Sequence, residues 1–328
     1  MTPFQRALIE WFDVARRPLP WRETYDPYAI WVSEVMLQQT QVATVIPYYQ
    51  RWMDRFPDLQ SLATADESDV LAIWQGLGYY RRARTLLAAA KELQAMPASH
   101  AELLKVDGIG PYSAGAIASI AYGEPVPLVD GNVERVFARV TANRQTGMQL
   151  RKSAWAWAET SLLRSKPGDW NQALMELGAT ICTPKQPDCE SCPINQSCAA
   201  FRAGIQDEIP VPKPRRHSIQ LERSIEILTC GSKVGIQPIE AGDWWQGMWT
   251  FPTVHDASSS RYIGNFTHAV THHRIKFQVW TSTLPVLDPA LRWIESSCLA
   301  EVAMPSPQRK AWRLFEKQLR EPSLDFGD

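Results

Sequence analysis

Two sets of residues in this chain could do chemistry: a group of thiols and a pair of carboxylates. Cys182, Cys189, Cys192 and Cys198 fall in the pattern C-x6-C-x2-C-x5-C. Four thiolates in so short a loop can converge on one metal centre. A [4Fe–4S] cluster takes one Cys per iron, and a tetrahedral zinc ion takes four as well. Zinc sites more often show two short C-x2-4-C pairs, and here only Cys189 and Cys192 form one. The spacing therefore favours the cluster and leaves zinc as the alternative. Cys230 and Cys298 lie outside the pattern and are expected to be buried small hydrophobes.

Glu34 stands in Trp31-Val32-Ser33-Glu34-Val35-Met36-Leu37, a helical and mostly apolar run. Ile30 and Leu37 share its face at spacings of four and three. Desolvation on such a face raises a carboxyl pKa, which suits a general acid near neutral pH. The alternative is a structural ion pair, with Arg22 as the partner. Asp130 follows the apolar Leu128-Val129 and opens Gly131-Asn132-Val133-Glu134-Arg135, the place of a helix N-cap. Capping and catalysis are compatible. The helix dipole would keep Asp130 ionised, and an ionised carboxylate stabilises a developing sugar cation. Breaking an N-glycosidic bond needs a protonated leaving base and a stabilised oxocarbenium ion, and two carboxyls in unlike environments meet both needs.

These residues must be positioned by a largely helical scaffold. From residue 1 to 204 apolar residues recur three and four apart, as at Val133, Val136, Phe137 and Val140. Within Val106–Ser119, Gly108 and Gly110 permit a tight turn, and Pro111 suits the first turn of the helix that follows. Backbone N–H groups at such a helix start form a ready phosphate site; an ordinary glycine-capped helix–turn–helix is the plainer reading. Ile209–His217 carries three alternating prolines and reads as an extended linker. Beyond it, residues 224–229, 234–239, 249–251 and 275–283 have strand character, and a last helix is expected over about 307–319. The expected division is a helical region 1–204, a linker 205–220 and a small α+β domain 221–328.

The 34 basic and 35 acidic residues leave a net charge of -1, which argues against a charge-driven nucleic-acid coat but permits local basic patches. Lys213, Arg215 and Arg216 form one such run; Arg81, Arg82 and Arg84 form another. No stretch of eighteen apolar residues and no secretory leader is apparent, so a cytoplasmic, reducing setting without membrane association is expected.

Several segments together resemble the MutY family of adenine DNA glycosylases, within the helix–hairpin–helix and endonuclease III superfamily. They are Leu19-Pro20-Trp21, Ser33–Val45, Gly76–Arg84, Asp130–Arg135, the glycine hairpin and the cysteine loop. The resemblance is strong over residues 1–205 and weaker beyond. It implies a mainly α region of two helical subdomains with a helix–hairpin–helix (about 103–119) and an iron–sulfur loop (182–198), followed by a Nudix-like α+β recognition domain. It implies a monomeric, monofunctional enzyme that removes adenine opposite 8-oxoguanine or guanine in double-stranded DNA. Glu34 would protonate adenine and Asp130 would stabilise the sugar cation, with Asn132 close to Asp130. Tyr112 stands where bifunctional relatives carry a Schiff-base lysine, and a phenol cannot do that chemistry. Arg17 and Trp21 would line the adenine pocket. Gln39 and Tyr79 would enter the duplex near the oxidised guanine, and Gly108 and Gly110 would hold phosphate. Phe266–His273 resembles the family's lesion-contacting loop, with Thr271 and His272 where that loop usually has Ser-His and Val270 in place of the usual Phe. The rival readings are an endonuclease III-like glycosylase/lyase, which would carry a lysine at position 112, and a non-enzymatic iron–sulfur DNA-binding protein.

Overall fold

The computed structural model describes residues 1–212, 217–240, 242–254 and 259–320. The basic run Lys213, Arg215 and Arg216 lies outside the described residues. The chain divides into two compact units, one from Met1–Glu67 with Arg81–Pro214, the other from Ser68–Tyr80 with Arg215–Asp328.

The first unit is helical: α1 (Pro3–Ala15), α2 (Pro27–Leu37), α3 (Val42–Arg55) and α4 (Leu59–Ala63) precede the Ser68–Tyr80 segment, which carries most of α5 (Glu67–Trp74). After it come α6 (Arg81–Glu92), α7 (His100–Leu103), α8 (Pro111–Ala121), α9 (Gly131–Val140), α10 (Gly147–Ser161), α11 (Pro167–Thr180) and α12 (Ala199–Arg202). Local chemistry explains the starts. Proline occupies the first turns of α1, α2, α8 and α11, where a missing N–H costs nothing. Thr2 and Gln5 close a capping box on α1, and Asp130 caps α9. The apolar face of α9, with Val133, Val136 and Phe137, packs into a core shared with α1, α10 and α11. Two glycines bring backbones together: a Cβ on Gly115 would lie 2.4 Å from the Pro127 carbonyl oxygen, and one on Gly178 would lie 2.5 Å from Asn132 Cβ. Among the described residues no helix is long and apolar enough to cross a membrane.

The second unit is built on a mixed sheet. Its strands are β1 (Ile219–Cys230), β2 (Lys233–Pro238), β3 (Trp249–Thr250), β4 (Arg261–Val270), β5 (His273–Thr283) and β6 (Arg292–Glu295). The order is β3-β2-β1-β5-β4, with β6 also paired to β2; among the described residues only β1 and β5 run parallel. Ile275, Phe277 and Val279 alternate inward along β5 and meet Ile225, Ile227 and the apolar face of α13 (Ser306–Arg320).

Phe266–His273, expected as a loop, is instead the end of β4, a two-residue turn at Thr271 and His272, and the first residue of β5. The residues here include Phe266 and Val270, which join the sheet core, and Thr271 accepts the left-handed φ of +54° that the turn requires. Cys230 is half-buried and Cys298 exposed, so neither is the buried hydrophobe expected from its type.

Candidate active site

A cleft of about 870 Å³ opens in the helical unit, and residues from six of its segments border it. Trp21 enters on a short 3-10 turn, Pro20–Arg22, and packs edge-on against Tyr49 with ring centres 5.4 Å apart. Glu34 enters on α2, Tyr112 from the first turn of α8, and Asp130 with Asn132 from the start of α9.

Helix α2 is buried along most of its length, and Glu34 is 5% exposed. Its Oε2 accepts a hydrogen bond of 2.5 Å from the Tyr112 hydroxyl. Burial pushes the Glu34 carboxyl up to about 7; the Tyr112 bond opposes this, the charge of Asp130 adds to it, and Arg22 slightly offsets it. Arg22 is not the ion-pair partner of Glu34. Its Nη2 lies 2.8 Å from Glu176, which Arg17 also holds through Nε at 2.7 Å and Nη2 at 2.8 Å.

Asp130 is the N-cap of α9, with Oδ1 accepting from the Val133 N–H and Oδ2 from Asn132 Nδ2, each at 2.8 Å. Burial nonetheless pushes its carboxyl above the usual aspartate range, against these donors. Burial therefore outweighs the cap and the Asn132 bond in setting the direction of the shift. Two carboxyls that repel across one cleft share their protons unequally. Asp130 has two hydrogen-bond donors and Glu34 has one, so the geometry favours negative charge on Asp130 over negative charge on Glu34.

Hydrogen bonds lead from Asp130 along one side of α9. Asn132 Oδ1 accepts from Arg135 Nη2 at 2.8 Å, and Arg135 also donates to the carbonyls of Gly178 and Cys182, each at 2.7 Å. One helical turn later, Arg139 donates to Cys182 Sγ at 3.3 Å and to the Thr183 carbonyl at 2.7 Å. Cys182, Cys189, Cys192 and Cys198 border one small pocket of about 20 Å³ with Ile181, Ile194 and Arg139. Among the described residues no three His, Cys, Asp or Glu side chains are grouped so as to hold a single metal ion.

Gln39 follows the end of α2 with φ +57° and borders the cleft. The carbonyls that α2 leaves without helical partners go to Arg82, whose Nη1 donates to Val35, Met36 and Gln38 at 2.7, 3.0 and 2.6 Å. Arg84 pairs with Glu67 at 2.7 Å, so two members of the basic run at 81–84 serve the fold. Gly108 has φ +85°, and a Cβ there would meet Thr85 Cγ2 at 2.1 Å; Gly110 caps α8 and borders the cleft. Tyr79, Thr271 and His272 belong to the second unit. Tyr79 is 46% exposed, and Thr271 and His272 border an open groove of about 730 Å³ with Ser218, Thr267, His273 and Arg274.

Sequence reading missed Glu176 and Arg82. Glu176 is 1% exposed; against its burial, hydrogen bonds from Arg17 and Arg22 hold its carboxyl down at about 2. Its signal was available, since it is a lone acid in the apolar run Ala173-Leu174-Met175-Glu176-Leu177, as Glu34 is in its own. Arg82 gave none, because three consecutive-looking cations do not reveal which one turns inward.

Residues 32–160 match the family profile described as the HhH-GPD superfamily base excision DNA repair protein. The human protein named adenine DNA glycosylase is 32% identical, over 97% of this chain and 75% of its own length. The protein of that name from Buchnera aphidicola subsp. Schizaphis graminum is 28% identical, over 95% and 99%. Among solved structures, a thermostable thymine-DNA glycosylase aligns at a TM-score of 0.54 with 26% identity, covering 61% of this chain and 95% of that one.

Proposed function

This chain belongs to the adenine DNA glycosylase family, base excision repair enzymes that hydrolyse the N-glycosyl bond of adenine, and from that premise we propose that Glu34 and Asp130 remove adenine paired with 8-oxoguanine or guanine. The observation that carries this reading is the unlike pair in one cleft: a buried acid poised at about 7 and a doubly hydrogen-bonded carboxylate. Adenine must leave the base stack to reach them. Trp21 then packs beside the base, and Glu34 protonates it at N7, which weakens the C–N bond. As that bond breaks, the electron pair leaves with the base. Asp130 stabilises the sugar cation until water adds at C1′, and Glu34, now a carboxylate, can take a proton from that water. Tyr112 supplies no amine for a Schiff base, so the product is an intact strand with an abasic site.

Gly108 and Gly110 put the backbone N–H groups of the α8 start within reach of a phosphate. Gln39 enters the duplex from the helical unit and Tyr79 from the second unit, where Thr271 and His272 at the β4–β5 turn contact the oxidised base. The cysteine loop would hold a [4Fe–4S] cluster through Cys182, Cys189, Cys192 and Cys198. The four thiols border one small pocket, and their uneven C-x6-C-x2-C-x5-C spacing suits one ligand per iron better than a single tetrahedral ion. Such a cluster would order the loop and would supply none of the base-removal chemistry.

The test uses a duplex with a single adenine opposite 8-oxoguanine. Strand scission at the adenine after alkali, and none before it, is expected, together with loss of cleavage in Glu34→Gln. Scission without alkali contradicts the Tyr112 argument, and no scission with alkali removes the function. Iron and sulfide analysis of the purified chain tests the cluster against zinc.

A further inference from the structure

The turn that carries Tyr79 is gripped from the far end of the chain. Residues 75–80 fold tightly after α5, with Gly76, Gly78 and Tyr79 at φ +105°, +71° and +49°. The Trp74 indole donates to the Gly78 carbonyl at 3.0 Å, and the Tyr80 hydroxyl accepts from the Gly76 N–H at 3.3 Å. Trp74, Leu77 and Tyr80 are buried, while the neighbouring Tyr79 ring is held out on a left-handed backbone. Such a conformation is unfavourable for a residue with a Cβ and persists where its surroundings over-determine it.

Arg309 on α13 provides part of that surrounding, 234 residues beyond Gln75. Its Nη1 donates to the Leu299 carbonyl at 2.6 Å, and its Nη2 to those of Ala300 and Val302 at 3.1 and 2.5 Å. With the Gln75 amide turned so that its oxygen faces the guanidinium, that oxygen accepts from Nε at 2.7 Å and Nη2 at 3.0 Å. A planar fork fixed on one side by three carbonyls holds the Gln75 amide in one place on the other. Gln75 adjoins the first glycine of the turn, so its position sets where the turn begins.

We propose that Arg309 is a positioning residue for DNA recognition: by holding Gln75 it fixes the Gly76–Tyr80 turn and presents Tyr79 to the duplex. This rests on the reading of Tyr79 as a residue that enters DNA. It makes the C-terminal helix a contributor to discrimination through a contact remote from the β4–β5 turn.

The experiment uses the full chain and two duplexes, one with a non-hydrolysable adenine analogue opposite 8-oxoguanine and one with the same analogue opposite thymine. The ratio of the two Kd values is measured for the parent, Gln75→Ala, Arg309→Met, Tyr79→Ala and the double variants with Tyr79→Ala. Gln75→Ala leaves the three carbonyl bonds of Arg309 in place, so it remains informative if Arg309→Met fails to fold. Gln75→Ala and Arg309→Met are each expected to reduce discrimination about tenfold, the scale of a hydrogen bond to a charged group. In the Tyr79→Ala background neither should reduce it further. A loss that persists undiminished without Tyr79 overturns the positioning role and leaves the Tyr79 reading intact. Parental discrimination in Gln75→Ala also overturns it. Parental discrimination in Tyr79→Ala overturns the reading of Tyr79, and the proposal with it.

Discussion

Replacing Tyr112 by Phe removes the hydroxyl that donates to Glu34 and keeps the ring. That bond lowers the Glu34 pKa against the burial that raises it, so its loss must move the pKa up. A hydrogen bond to a charged group contributes about 1.5–3 kcal/mol, and each unit of pKa corresponds to about 1.4 kcal/mol. The same hydroxyl can also donate to the protonated acid, so the low end applies, an upward shift of about one unit. Glu34 must carry a proton to give one away. The parental rate should therefore fall as pH rises through about 7, and the variant's should fall about one unit higher. At pH 8 roughly a tenth of the parental Glu34 is protonated against roughly half in Tyr112→Phe. The assay is single-turnover adenine release, with enzyme in excess, across the neutral pH range. The plateau at low pH can change with positioning, but the midpoint reports the acid. A midpoint that stays at the parental value, or moves down, refutes the reasoning.

Three further expectations follow from the same geometry. Glu34 has a folded pKa of about 7 against an ordinary 4.5, so the folded state loses about 3 kcal/mol as pH rises through that interval. Glu34→Gln escapes this loss, and its Tm should exceed the parental Tm at pH 8 and match it near pH 4.5; a lower Tm at pH 8 counts against the burial argument. Glu176 has the opposite sign, with stability present above the ordinary glutamate pKa and lost as pH falls toward about 2. Glu176→Gln should cost about 3 kcal/mol at neutral pH, the low end for a broken buried pair because Arg17 is partly exposed, and urea titrations at pH 7 and pH 3 should show that cost shrinking in acid. Gly178→Ala places a methyl against Asn132. Displacing this partner of Asp130 should slow single-turnover release about ten- to a hundredfold with DNA affinity unchanged, and an unaltered rate would show that Asn132 does not position Asp130.

The helical unit was legible because its signals are local. Proline at helix starts, the Asp130 cap and the apolar spacing of α9 lie within a few residues of what they determine. Burial of Glu34 could be read from its neighbours for the same reason. What escaped depended on contacts distant in sequence. Arg17 and Arg22 converge on Glu176 from more than 150 residues away, as the separations of 159 and 154 show. Burial alternates along β4 from Gly264 onward, but the polar His268 faces inward and the apolar Ala269 faces out, so the polar–apolar pattern in the sequence is broken and resemblance to a loop outweighs it. Nothing in residues 68–80 indicates that they belong with a sheet formed after residue 215. Asp130 shows the limit of a local signal in another way. A cap supplies donors, but how much water the carboxylate has lost is a property of the finished cleft.

The tie between Gln75 and Arg309 also has a timetable. At about 5–20 residues per second, a ribosome finishes the second partner some twelve to fifty seconds after the first. Throughout that interval the Gly76–Tyr80 turn lacks the grip that Arg309 will take on Gln75. A message cut short before the codon for Arg309 would thus yield a protein whose damage begins within its first eighty residues, although the break lies more than two hundred residues further along.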